Sequence, residues 1–169
     1  MNKKIDILPI SQELEDLTYT NIEIMHLDIK GEYKNFKSKN IGVNSIYRLD
    51  QCLSVPLDAD SELSSVIRLY FFTNHALKIT KDGKQFAAFQ SGDKFKIIGF
   101  RTYKNKACVV ALHLPSEGWK EFYKDNSSID NQLVHVAVRD FEVQVDNIGE
   151  KTFDTPDSNN KISYTILNK

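Results

Sequence analysis

The sequence predicts a mostly β domain, an antiparallel barrel or sandwich, on three observations. Five apolar or alternating runs of strand length lie between residues 21 and 115. Most of them are joined by polar stretches with no room for crossover helices. At 41% hydrophobic over 169 residues, the chain has enough apolar material for one domain with a core of its own.

The elements follow in order. "SQELEDL" (11–17) reads as one or two helical turns opened by Ser11. In "TNIEIMHLDIKGEY", Ile22, Ile24, Leu27 and Ile29 nearly alternate. The phase slips at Met25–His26, as a bulged strand would require, and Gly31 ends or kinks the run. "SIYRLDQCLSV" (45–55) is the second strand, closed by Pro56, and "VIRLYFFT" (66–73) the third. "HALKITKDGKQFAAF" carries an Asp82–Gly83 turn signal and reads as an inserted hairpin near 74–91. "DKFKIIGFRTY" and "KACVVALHLP" are two further strands around a short turn.

Beyond residue 115 the composition changes, with ten acids against six bases. Segment 129–145 is ambiguous: Val134, Val136 and Val138 alternate like a strand, whereas Ile129, Leu133, Val136, Ala137 and Phe141 share one helical face. The tail "GEKTFDTPDSNNK" is turn-rich and polar.

Several function classes are disfavoured. A net charge of −1 argues against a chain that holds a long stretch of nucleic acid unaided, though a local basic groove remains open. Cys52 and Cys108 form no CxxC pattern, so buried free thiols are expected, and no metal site. Pro9 and the acids after it rule against a signal peptide, and no apolar run approaches membrane-spanning length. Of the four histidines, His26, His75, His113 and His135, none is followed two residues on by Ser or Thr. No phosphate loop, nucleophile elbow or HExxH motif appears. The histidines are expected to be isolated, and no catalytic residue or cofactor is assigned.

Two segments mix cations with aromatics. The loop "KGEYKNFKSK" (30–39) places Lys34 and Lys37 around Phe36; the turn "RTYKNK" places Tyr103 among Arg101, Lys104 and Lys106. Cations neutralise phosphates and aromatic faces stack bases, which suits single-stranded nucleic acid. In a five-stranded oligonucleotide-binding (OB) barrel, these segments are the two loops that flank the ligand cleft, and Arg68 and Tyr70 on the third strand face it.

On these residues the chain resembles the middle subunit of replication protein A. "NIEIMHLDIKG", "SIYRLDQCLSVPLD", "IRLY" and "KFKIIGFRTYKNKACVVALHLP" are similar, in order, to its barrel strands, and "ILPISQEL" to the segment before them. The resemblance implies an all-β fold with a C-terminal helix, a five-stranded OB barrel. It decides 129–145 as helix, packing through Leu133, Val136, Ala137 and Phe141 against the small and large subunits of a heterotrimer. It implies single-stranded DNA stacked on Tyr70 and Tyr103, with Arg68, Arg101, Lys104, Lys106, Lys34, Lys37 and Phe36 beside it. It implies a nuclear, non-enzymatic protein of replication or telomere maintenance, with no membrane.

The domain reading is an N-terminal extension (1–18), the barrel with its inserted hairpin (19–115), a linker and helix (116–147) and a polar tail (148–169). Residues 146–169 are too few for the family's winged-helix domain, and the Ser-rich tail is absent. Both departures point to a shortened or telomere-specialised relative. Two alternatives stand beside this reading. One is a protein-only adaptor without nucleic acid; the other is a β-barrel hydrolase, which needs histidines that converge.

Overall fold

The computed structural model describes residues 22–29, 42–117, 127–150, 153, 162 and 164–167. Within them the chain forms β1 (Glu23–Ile29), β2 (Ile46–Leu49), β3 (Leu53–Pro56), β4 (Ile67–Thr73), β5 (Leu77–Lys81), β6 (Lys84–Phe89), β7 (Lys94–Tyr103), β8 (Lys106–His113), the helix α1 (Ser127–Ile148) and β9 (Tyr164–Ile166). The strands make two sheets. The larger has the order β1-β4-β8-β7-β2-β9, the smaller β3-β6-β5.

The molecule has three layers: α1, the large sheet and the small sheet. This layering explains why the central strands are apolar on both faces. Tyr70 and Phe72 of β4, Cys108, Val110 and Leu112 of β8 and Ile98 of β7 pack under α1. Phe71, Val109, Ala111, Phe95 and Ile97 point the other way, onto Val55, Ala87 and Phe89 of the small sheet. β4 and β8 run parallel, and every other paired neighbour is antiparallel.

Three expectations are corrected here. The described strands form two sheets and no closed barrel, so the OB barrel is not what these residues build. The run 45–55 is two strands, because the chain bends at Asp50–Cys52 and passes from one sheet to the other. β1 pairs with β4 without a bulge, from Glu23 opposite Thr73 to Ile29 opposite Ile67. Its mixed pattern reflects two buried faces: Ile22 and Ile24 meet the helix layer, Met25 and Leu27 the small sheet. The register irregularity lies instead in β7, between Ile97 and Gly99.

Segment 129–145 is helical, and α1 lies on its own sheet. Leu133, Val136, Ala137, Phe141 and Val145 are buried there. Burying a side chain such as Phe141 contributes about 2–3 kcal/mol. At the start of α1, Asp130 accepts a hydrogen bond from Lys96 Nζ of β7 at 2.5 Å. At its end Gly149, with φ of 63°, takes the left-handed conformation that stops a helix. A face spent in this way is not open to a three-helix bundle, so the assignment of Leu133, Val136, Ala137 and Phe141 to subunit partners is corrected.

Cys108 is buried, and burial pushes its thiol up to about 12. Cys52 is exposed, at the bend between β2 and β3, contrary to expectation.

Candidate active site

Arg68 and Tyr70 have no solvent exposure. Arg68 donates from Nε and Nη2 to the two oxygens of Asp28, at 2.6 and 3.0 Å, and from Nη1 to the Ser61 carbonyl at 2.9 Å. Burial works against its charge, but the Asp28 hydrogen bond and charge outweigh it and raise its pKa. Tyr70 donates its hydroxyl to Asp140 of α1 at 2.6 Å, and burial and that carboxylate raise its pKa. This network ties β1, β4 and α1 together. It leaves neither side chain a face for a base or a phosphate, and their place in a DNA cleft is corrected.

The β7–β8 turn is also occupied. Lys104 and Asn105 have φ of 50° and 64°, the left-handed pair of a two-residue hairpin turn. Tyr103 donates its hydroxyl to Asp146 Oδ1 at 3.0 Å, and Lys104 Nζ donates to the same oxygen at 2.6 Å. Arg101 pairs with Glu142 at 3.3 Å. Glu142 and Asp146 are one turn apart on α1, so the cations meet helix carboxylates. The Lys104 hydrogen bond, then that of Tyr103, hold Asp146 below its usual range. Lys106 is partly buried at the start of β8. Lys34, Phe36 and Lys37 lie outside the described residues.

The described residues bring together a group that the sequence did not mark as one. The parallel register of β4 and β8, with Phe72 opposite Leu112, carries Thr73 and His113 to the same end of the sheet. There Thr73 Oγ1 lies 2.8 Å from His113 Nδ1. His113 Nε2 lies 3.1 Å from Oδ2 of Asp93, just before β7. A carboxylate only accepts, so Nε2 carries the proton and donates to Asp93. The neutral ring then leaves Nδ1 to accept from the Thr73 hydroxyl. Thr73 Oγ1 also accepts the backbone N–H of His75 at 3.2 Å.

His113 is stacked between His75, with centroids 3.9 Å apart, and Phe95 at 4.9 Å, while Phe89 meets it edge-on at 5.0 Å. Burial, and then the charge of His75, push its pKa down to about 4, against the pull of Asp93. Thr73 and His113 are 2% and 4% exposed; His75 is exposed and covers them. His75 is held at the bend after β4, with Nε2 3.2 Å from the Leu114 carbonyl. His26 and His135 stand elsewhere, His26 beside Tyr70 and His135 exposed on α1.

A hydroxyl, an imidazole and a carboxylate in one line form the arrangement that activates a nucleophile by moving its proton to a base held by an acid. The expectation that the histidines are isolated is corrected for His75 and His113. Thr73 and His113 stand 40 residues apart, and no local pattern links them.

No family model matches the chain, and no curated protein matches it. Solved structures do share part of the fold. The type III effector XopAI from Xanthomonas axonopodis pv. citri is 9% identical with a TM-score of 0.45, over 54% of this chain and 41% of that one. C3larvin toxin, an ADP-ribosyltransferase from Paenibacillus larvae, is 11% identical with a TM-score of 0.41, over 64% and 70%. Vis toxin, an ADP-ribosyltransferase from Vibrio splendidus, is 14% identical with a TM-score of 0.39, over 60% and 52%. The chain thus spans less than half of XopAI. These likenesses concern the fold, and no activity is carried from them to this chain. The geometry above, with two open sheets, Arg68 and Tyr70 buried, the helix face spent on its own sheet and a hydroxyl, an imidazole and a carboxylate brought together, corrects the resemblance to replication protein A. It also corrects what followed from that resemblance: the single-strand-binding or adaptor role in replication or at telomeres, the heterotrimer partners and the non-enzymatic assignment.

Proposed function

We propose that the chain is an enzyme of the hydrolase type, with Thr73 as nucleophile and His113 as its general base. The observation that carries this reading is the line of Thr73 Oγ1, His113 and Asp93, with contacts of 2.8 and 3.1 Å. Thr73 Oγ attacks the carbonyl carbon of an ester-type substrate as its proton passes to His113 Nδ1. The imidazolium so formed is stabilised by Asp93. It returns the proton to the departing alcohol; water, deprotonated by the same ring, then attacks the threonyl ester, and the ring hands that proton to Thr73 Oγ as the acid leaves. Burial and His75 leave His113 neutral but weakly basic at pH 7, and displacement of His75 by substrate removes one cause of that depression. His75 is the only ring over the exposed side of His113 among the described residues, so substrate enters by displacing it.

The test is turnover of p-nitrophenyl acetate. The expected result is a stoichiometric burst of nitrophenolate with acetyl mapped to Thr73 by peptide mass. Thr73→Val and His113→Gln lose the burst, and Thr73→Ser retains it. No burst, or acetylation at another residue with Thr73 unmodified, overturns the reading.

A further inference from the structure

Among the described residues, the hairpin β5–β6 presents a free strand edge. In the small sheet β6 lies between β3 and β5, and β5 pairs on one side only, among the described residues. All five residues of β5 are exposed, including Leu77 at 54% and Ile79 at 41%. The two-residue turn Asp82–Gly83, with φ of 53° and 78°, makes Lys81 opposite Lys84 the hydrogen-bonded pair that closes the hairpin. By alternation, the amides of Ile79 and Leu77 then face β6, whereas those of Lys78 and Thr80 face outward. Leu77, Ile79 and Lys81 share one face of the strand.

An exposed apolar edge is a template for another strand, and charged residues on it decide which one. Lys81 and Lys84 stand exposed at the turn, and Lys78 beside them pairs with Glu23 at 2.6 Å. A second copy of β5 paired antiparallel about Ile79 would set Lys81 against Leu77 and Lys78 against Thr80, so no lysine would gain an opposite charge from self-pairing. Lys84 lies opposite Lys81 on the face that carries Leu77 and Ile79, so an extended segment with apolar residues beside Leu77 and Ile79 and an acidic residue beside Lys81 would match both features. We propose that β5 is a docking edge for an acidic, extended segment of a partner protein, which joins the small sheet as a further strand.

Fluorescence anisotropy on the full chain tests this. The probe is a labelled Glu-Thr-Val-Thr-Val peptide, with Glu to face Lys81 and the two Val residues to face Ile79 and Leu77, N-methylated at Glu and Val so that it offers one edge. The expected result is saturable binding that weakens with salt, falls about tenfold in Lys81→Glu/Lys84→Glu and is lost in Thr80→Pro. That proline removes an outward amide and leaves the β5–β6 ladder intact. Should Thr80→Pro not fold, the lysine variant decides. Equal binding of the same peptide with Lys in place of Glu, no saturable binding, or affinity unchanged in the lysine variant overturns the proposal. So does a wild-type dimer that Thr80→Pro dissociates, since the edge then belongs to a second copy.

Discussion

Gly99→Ala probes the seating of α1 on the sheet. Gly99 sits on β7 beneath the helix, at the register irregularity after Ile97. A Cβ at this position would lie 2.7 and 2.8 Å from the two γ-methyls of Val134 and 3.3 Å from its Cβ. Carbon atoms rest at about 3.5–4.0 Å, so the contact demands a retreat of nearly an ångström. Val134 cannot rotate aside, because a β-branched residue in a helix has essentially one χ1 well. The helix itself must shift, against the buried row of Leu133, Ala137 and Phe141. Overpacking of this kind costs about 1–3 kcal/mol. Val134→Ala alone should cost about 1 kcal/mol for two half-buried methyls. In the double variant only the 3.3 Å contact between the two Cβ atoms remains, so the costs should fall short of additivity by about 1–2 kcal/mol. Urea unfolding followed by circular dichroism measures all four proteins. Strictly additive costs, or a Gly99→Ala variant as stable as the wild type, would refute the docking of α1 on its own sheet.

Other outcomes follow from the same contacts. Asp28→Ala strands the buried Arg68 guanidinium and should cost about 3–5 kcal/mol in chemical denaturation. Asp146→Ala removes only exposed contacts, with Lys104 and Tyr103, and should leave the denaturation midpoint essentially unchanged. In native protein one thiol, Cys52, should react promptly with a disulfide reagent, and Cys108 only on unfolding. Stability should fall in acid through His113. The unfolded ring takes up a proton near pH 6.5 and the folded one only near 4, so the neutral form's contribution is complete above 6.5 and is lost toward 4. The loss is about 3 kcal/mol over that window, and His113→Gln should flatten it, as thermal melts across the range would record.

Local chemistry was legible where it is settled locally. The Asp82–Gly83 pair dictates a hairpin turn whatever surrounds it, and the apolar strands around Tyr103 identify themselves by composition. Which strands are neighbours depends on long-range pairing, and no local pattern distinguishes a closed barrel from the open order found here. The ring of cations around Tyr103 was read as an anion site because its partners, Glu142 and Asp146, lie some 40 residues away. Tyr70 and Arg68 looked available for the same reason: alternation shows that a strand has two faces but not that both are covered. The candidate site was invisible because it needs the parallel pairing of β4 with β8 to align Thr73 with His113, and Asp93 comes from a third segment.

The protonation state of His113 tests the central claim most directly. Nitrogen-15 NMR of the histidine side chains, titrated through acid, reports which ring nitrogen holds the proton and where the ring charges. The account predicts a neutral ring protonated at Nε2, with Nδ1 open toward the Thr73 hydroxyl and a midpoint near 4. A ring protonated at Nδ1, or one that titrates near the ordinary histidine value of about 6.5, would contradict it.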